Sequence, residues 1–392
     1  MNASPHRQHL ASKPLSAVYA FSADPITHGH INIVERMAMC FSRCIVGIGR
    51  NPSKRYLLSL AERKHLAQVA LAHLPNVEVM AFEGMVVDFA FEQGAKVIVK
   101  GVRSAADMSY EQTLHQVGVS QAMNIDTHLL FAEPSLAHVS SSVVKAMQLE
   151  HGFIQDYVPP VVKAALEAKL SGQLVIGLTG SIAAGKSTLA AALIDEAQAL
   201  GVSVHNIDLD LLGHQILAGD GIGEPMHREL LQGLAARFEG VVSGSTVDRA
   251  VLAQAIFSDE RDRCYLNELM AKPMAIVLRR AFSHKRGIVL LNGALLADNN
   301  LLGLCNYRCI LCETDPDTQH GRLLARGLNA EQARRRLASQ LNGREKAARI
   351  NKAMAQHGFG HLWRYGDGKL TPRQLLASII DDSEARSWVQ TI

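Results

Sequence analysis

Residues 174–188 read LVIGLTGSIAAGKST, and this stretch constrains the chain more than any other. Mostly apolar, strand-like residues run into Gly180-Ser181-Ile182-Ala183-Ala184-Gly185-Lys186-Ser187, which meets G-x-x-x-x-G-K-[ST] at every fixed position. Thr188 and an Ala- and Leu-rich, helix-forming run follow. A strand that turns into a helix in this way offers backbone N–H groups to phosphate oxygens, and the helix N-terminus adds partial positive charge. In that setting Lys186 reaches the β- and γ-phosphates of a nucleotide, and Ser187 holds Mg²⁺. The bland reading, a Gly-containing turn with a chance lysine, leaves the register of strand, loop and helix unexplained. A phosphate loop starting at position 180 opens a second domain, so the residues before it need a domain of their own.

A chain of 392 residues suits about two or three domains. With 48% hydrophobic residues and a formal charge of +3, it has the composition of an ordinary globular protein. No Lys/Arg run suggests a nucleic-acid track, and the mild basic balance fits anionic small molecules better. Residues 1–15 are polar and read as a flexible extension rather than a targeting signal. No apolar run is long enough to span a membrane, so the expected compartment is the cytoplasm. Cys305, Cys309 and Cys312 are close in sequence, as metal ligands are. But residues 307–313 read as a buried strand on which Cys309 and Cys312 face opposite sides. They are read as core thiols, and so are Cys40 and Cys44.

The first half also begins as strand, loop and helix. Residues 16–22 are strand-like, Asp24-Pro25-Ile26-Thr27-His28-Gly29-His30 follows, and residues 31–39 carry helical apolar spacing. His30, at the helix start, is placed to donate to a phosphate oxygen as charge builds. Further strands are expected at 44–49, 76–82 and 95–100, alternating with helices at 60–73 and 86–93. Alternation of this kind implies a parallel sheet, with ligands beyond the carboxyl ends of its strands. His30, Lys54, Lys100 and Arg103 all fall there.

These residues carry a resemblance. Residues 19–170 are similar to phosphopantetheine adenylyltransferase, a nucleotidyltransferase family with an [HT]-x-G-H motif, here Thr27-His28-Gly29-His30. The ordered series continues through Asn51-Pro52-Ser53-Lys54, Lys100-Gly101-Val102-Arg103, Asp107 with Tyr110-Glu111, and Val139-Ser140-Ser141-Ser142. The resemblance implies attack of the 4′-phosphopantetheine phosphate on the α-phosphorus of ATP. It gives His30 and Ser22 to the reacting phosphates, and Lys54, with Ser22 and Lys100, to the incoming phosphate. Lys100, Arg103, Glu111 and Ser140–Ser142 would serve the nucleotide. Two positions depart from the family pattern: Phe21 stands where glycine is usual, and Lys100 where arginine is usual.

Past a closing helix and linker at 159–173, the second half resembles dephospho-CoA kinase over about residues 174–343. Matching pieces are Gly180–Thr188, Asp208-Leu209-Asp210 and the run to His214, Arg249 with Ile256-Phe257, and Arg322 with Arg326-Gly327-Leu328. The resemblance implies ATP-dependent phosphorylation of the ribose 3′-hydroxyl of dephospho-CoA. Asp208 would be the base, and Arg326 would act in a lid. Position alone favours a functional Asp208 at a strand end, with Asp210 the more natural helix cap. Asn292 replaces the acidic residue usual at its position, removing a charge near Mg²⁺.

The expected architecture is therefore α/β in two domains. A Rossmann-like nucleotidyltransferase sheet spans 16–158, and a P-loop kinase sheet with a helical CoA and lid region spans 174–392. The leading reading is a fused transferase for the last two steps of coenzyme A synthesis, using ATP and Mg²⁺ on small-molecule substrates, without nucleic acid or membrane. A homo-oligomer is compatible with it. The rival, motivated by Phe21, Lys100 and Asn292, is that one or both domains are degenerate and kept to bind nucleotide or CoA.

Overall fold

The computed structural model describes residues 15–121, 123–366, 368 and 370–382, apart from the side chains of 257 and 258. The extension expected over 1–15 lies outside the described residues except for Leu15. Two compact units divide the chain. One comprises the residues up to Ala146 with Ile154–Val162, the other Met147–Phe153 and the residues from Lys163 on.

In the first unit five parallel strands, β1 (Ser16–Phe21), β2 (Arg43–Gly49), β3 (Val77–Phe82), β4 (Val97–Val102) and β5 (Asp126–Phe131), pair in the order β3-β2-β1-β4-β5. β1 lies between β2 and β4, with Tyr19 opposite Val46 on one side and Val99 on the other. The chain winds outward from β1 in one direction and then from β4 in the other, which opens a crevice at their carboxyl ends. Val18, Ile45 and Ile98 pack with Val87, Phe89 and Ala90 of helix Val86–Glu92 to form the core on one face. β4 runs two residues past the expected end, so Lys100 lies within the strand.

The second unit is built on a further parallel sheet. Its strands are β6 (Gln173–Thr179), β7 (Val204–Asp208), β10 (Gly287–Asn292), β11 (Arg308–Cys312) and β12 (His361–Tyr365), in the order β12-β11-β6-β10-β7. A short antiparallel hairpin, β8 (Val242–Ser243) with β9 (Thr246–Val247), lies between them in sequence. Every residue of β6, β10 and β11 is buried, as expected for parallel strands covered on both faces. Cys312 belongs to the core on the side of Leu189 and Leu193, whereas Cys305 and Cys309 belong to the opposite core with Ile350. The core-thiol reading fails for Cys40, which is exposed because it is the last residue of helix His28–Cys40.

Two helical additions accompany this sheet. Leu209–Leu217, Glu224–Arg237, Arg249–Ser258 and the 23-residue helix Glu260–Phe282 enclose a core of Ile216, Leu230, Leu234, Phe238, Leu252 and Val277. Helices Pro316–Ala325 and Ala330–Ala338 place Leu323 and Ala333 against Ala183 in the loop after β6. No helix among the described residues is long and apolar enough to cross a membrane.

Candidate active sites

At the carboxyl end of the first sheet, β1 leads into residues 22–27 and helix His28–Cys40, capped by Thr27. The Thr27 N–H donates to His30 Nδ1 at 3.1 Å, and the Thr27 hydroxyl lies 2.9 Å from the same nitrogen. A nitrogen that accepts carries no hydrogen, so the neutral imidazole carries its own on Nε2. Burial, with Arg103 adding to it, lowers the His30 pKa to about 4. The ring is therefore neutral at physiological pH and presents one N–H. Phe21 stacks on it with ring centroids 4.5 Å apart and planes 6° from parallel. The bulky residue at the glycine position is thus packed against the histidine.

Two residues without an assigned chemical role hold this end of the sheet in shape. Buried Arg63 donates from Nη1 to the carbonyl oxygens of Ser22 (2.5 Å) and Gly49 (2.8 Å), tying the ends of β1 and β2. Its guanidinium lies 4.0 Å from the Tyr56 ring centroid. Asp24, also buried, accepts from the N–H groups of Leu57 (3.2 Å) and Leu58 (2.9 Å) and from Lys145 Nζ (2.6 Å). Arg63 was missed in the sequence because a buried arginine inside a helix carries no motif. The Asp-Pro pair at 24–25 was the available signal for Asp24.

The expected ligand residues fall into three states. Lys100 Nζ is paired with Glu111 Oε2 at 2.9 Å, both mostly buried, and Arg103 Nε with Asp107 Oδ2 at 3.1 Å. Lys54 and Ser142 are exposed, and Ser22 Oγ lies 3.5 Å from the Tyr56 hydroxyl. Ser141 Oγ donates to the Pro25 carbonyl oxygen at 2.8 Å, and Ser140 Oγ accepts from the Val143 N–H at 3.3 Å. Ser141 therefore fixes the start of helix Ser141–Leu149 against the loop after β1. The turn before it lies against Gly29, where a Cβ would meet Leu136 O at 3.8 Å and Val139 O at 4.0 Å. That proximity brings the Ser140 turn beside the His30 turn.

In the second unit, β6 is followed by Gly180, whose φ is +148° and where a Cβ would stand 2.4 Å from the Cys312 carbonyl oxygen. Gly185 (φ +97°) caps helix Lys186–Ala199. Lys186 Nζ donates to the carbonyl oxygens of Gly180 (3.0 Å) and Ser181 (3.2 Å). Burial lowers its pKa, with Asp210 and Asp208 opposing. Ser187 and Thr188 are exposed at the first helical turn. The Ile182 N–H donates to Gln340 Oε1 (2.9 Å), Ser181 Oγ to the Leu341 carbonyl oxygen (3.1 Å), and Arg322 Nη1 to the Ala183 carbonyl oxygen (2.9 Å). Arg322, in helix Pro316–Ala325, thus touches the loop, whereas the expected lid residue Arg326 lies exposed at the end of that helix.

Asp208 ends β7 and caps helix Leu209–Leu217, its Oδ1 accepting from the N–H groups of Asp210 and Leu211, both at 3.0 Å. The capping expected of Asp210 thus belongs to Asp208, which is the residue with extended backbone. Asp210 is the carboxylate the sequence reading passed over. Desolvation in the cleft and repulsion from Asp208 raise its pKa, while Lys186 and His214 oppose the shift. Asn292 is the last residue of β10, in register with both Asp208 and Leu178, and its Nδ2 is buried without a partner among the described residues. A cleft of about 560 Å³ opens on the other side of the loop, lined by Gly185, Thr188, Thr314, Arg322, Tyr365 and Leu370 among others.

Fold and sites define an α/β protein of two parallel-sheet domains, each with basic side chains near the carboxyl ends of its strands. Residues 174–359 match the dephospho-CoA kinase family, and residues 19–147 match the cytidylyltransferase-like family. The chain therefore carries a nucleotidyltransferase-like domain followed by a dephospho-CoA kinase-family domain, which makes it a transferase. Among solved structures it is similar to TT1252 from Thermus thermophilus, at 24% identity and TM-score 0.42, over 54% of this chain and 98% of that one. It is also similar to a putative nicotinate-nucleotide adenylyltransferase from Vibrio parahaemolyticus, at 16% identity and TM-score 0.32, over 40% and 92% of the respective chains.

Proposed function

We propose that the chain performs two consecutive reactions of coenzyme A synthesis. The first domain transfers an adenylyl group from ATP to 4′-phosphopantetheine, releasing pyrophosphate, and the second phosphorylates the 3′-hydroxyl of the resulting dephospho-CoA. The observation that carries this reading is the order of the two matched families, because an adenylyl transfer to 4′-phosphopantetheine makes the compound named by the kinase family.

In the first site the attacking phosphate oxygen forms a bond to the α-phosphorus as the bond to pyrophosphate breaks. His30 Nε2–H donates to the reacting phosphate, and Ser22 stands beside it. Lys54 and Lys100 hold the incoming phosphate, Lys100 with Glu111 as its counter-ion. Arg103 and the Ser140–Ser142 turn receive the nucleotide phosphates. The protein contributes position and charge, with no covalent intermediate.

In the second site residues 180–188 wrap the nucleotide phosphates, Lys186 leaves its carbonyl partners for the β- and γ-phosphates, and Asp208 accepts the ribose proton. Arg322, already on the loop, and Arg326 supply lid cations. Ser187 and Asp210 would hold Mg²⁺. They fit it, since a divalent cation offsets the desolvation of Asp210 and its repulsion from Asp208, which together raise its pKa. Bound there, the cation would neutralise charge on the transferring phosphoryl group.

A second reading, a kinase domain retained for binding alone, draws on Asn292, an amide where a charge would assist the cation. One assay separates them: full-length protein with ATP, Mg²⁺ and 4′-phosphopantetheine, products resolved by mass. Both dephospho-CoA and CoA are expected, with His30→Ala stopping the first and Lys186→Ala only the second. Accumulation of dephospho-CoA alone favours the binding-only kinase, and absence of both products at high enzyme concentration removes the bifunctional reading.

A further inference from the structure

Phe21 has no role in the chemistry above, yet it is stacked on the group that chemistry depends on. It is the last residue of β1. Its ring lies flat on the His30 imidazole, centroids 4.5 Å apart and planes within 6°. Behind it, two residues earlier on the same face of the strand, Tyr19 meets Phe21 at 4.8 Å and 34°. Tyr19 is itself buried, at 7% exposure. The three rings form a column rooted in the sheet and ending at His30. The imidazole is then held in two independent ways: its plane by the Phe21 face and its Nδ1 edge by Thr27. Only the opposite edge, bearing Nε2, is left to move or to meet a ligand.

We propose that Phe21 is a positioning residue for His30: it fixes the plane of the imidazole so that Nδ1 stays on Thr27 and Nε2–H keeps one direction. The inference rests on His30 acting in adenylyl transfer, but the placement of the ring stands apart from that reading. Aromatic stacking of this kind adds to burial by an amount equivalent to about tenfold in an equilibrium, and a donor that swings off line loses a comparable factor in rate or more. Arg103 is the charged group that acts on the ring from beyond β4.

The test compares Phe21→Leu, which keeps apolar bulk but loses the flat face, with Phe21→Tyr, which keeps it. Full-length protein labelled with ¹⁵N-histidine gives the His30 nitrogen shifts, assigned by their loss in His30→Gln. In wild type and Phe21→Tyr, Nδ1 is expected as an unprotonated acceptor and Nε2 as the N–H. In Phe21→Leu the two shifts move toward each other, the Thr27 amide exchanges faster, and kcat for adenylyl transfer falls about tenfold with KM for ATP within about twofold. Unchanged His30 shifts in Phe21→Leu overturn the proposal. So does a change confined to KM, which would make Phe21 a wall of the nucleotide site. If wild-type protein shows no adenylyl transfer while the shifts behave as described, the positioning role stands and the proposed function falls.

Discussion

Replacing Gly180 by alanine should disable the second site and leave the first untouched. The added Cβ would stand 2.4 Å from the Cys312 carbonyl oxygen and 3.1 Å from the Cys312 Cβ. Ordinary contact between such atoms lies about half an ångström or more beyond the shorter distance. Neither side yields cheaply, because Gly180 follows β6 and Cys312 ends β11, both buried throughout. Overpacking of this kind costs about 1–3 kcal/mol. The backbone at φ +148° adds about 1–3 kcal/mol for a residue with a side chain.

Relief requires the loop to move away from β11, and a displacement near 1 Å lowers a positioned reaction by about 100-fold. Gly180→Ala is therefore expected to weaken binding of a fluorescent ATP analogue at least tenfold. Phosphorylation of added dephospho-CoA should fall about 100-fold, and adenylyl transfer to 4′-phosphopantetheine should be unchanged. Gly201→Ala is the control: its φ is +69° with nothing within 4 Å of the added Cβ, so only torsional strain of about 1 kcal/mol remains. If Gly180→Ala binds nucleotide within about threefold of wild type, or Gly201→Ala is equally harmful, close approach to Cys312 does not shape the loop.

Other outcomes follow from the same geometry. Arg63→Met keeps the buried stem but removes the bonds to Ser22 and Gly49. Relief of a desolvated charge offsets part of the loss, so a fall of about 2 kcal/mol in urea unfolding of the first domain is expected, and no change would refute the tie. His30 should titrate near 4 rather than at its ordinary 6.5, as followed by its imidazole NMR shifts. Because the folded form binds the proton more weakly, the stability contributed by His30 is complete above about pH 6.5 and is lost as pH falls toward 4. A midpoint near 6.5 would contradict the buried neutral ring. Asn292→Asp places a charge at a buried strand end in register with Asp208. Its melting temperature should fall without divalent cation and rise more than that of wild type on adding Mg²⁺ with ATP, whereas equal shifts would count against a cation beside residue 292.

Legibility in the sequence tracked how many structural demands each segment satisfied locally. Residues 180–188 need a strand, a turn and a helix at fixed spacing, so little else fits them. β6, β10 and β11 are continuous apolar runs because both faces are covered. β5 and β12 lie at sheet edges with mixed exposure and a broken apolar pattern, and neither was anticipated. Helix Ala105–Ser120 buries none of its residues, so it carries no periodic signal, and Pro273 obscured the helix Glu260–Phe282. At the sites, charged residues near strand ends were readable from order alone. Their pairing was not, since Lys100 with Glu111, and Arg63 with the carbonyls of two strands, depend on tertiary approach.

The bond between Thr27 and His30 narrows the alphabet available at position 30. The side chain there must accept a hydrogen bond from the residue three before it and offer a donor on its far side. Glutamate can do the first, as in ordinary helix starts, but it would bring the wrong charge to the proposed phosphate site. Alanine does neither, so the loss in His30→Ala mixes a frayed helix with a missing donor. A carboxamide has one atom of each kind, so glutamine keeps both the helix start and a donor, and activity lost in His30→Gln belongs to the imidazole itself.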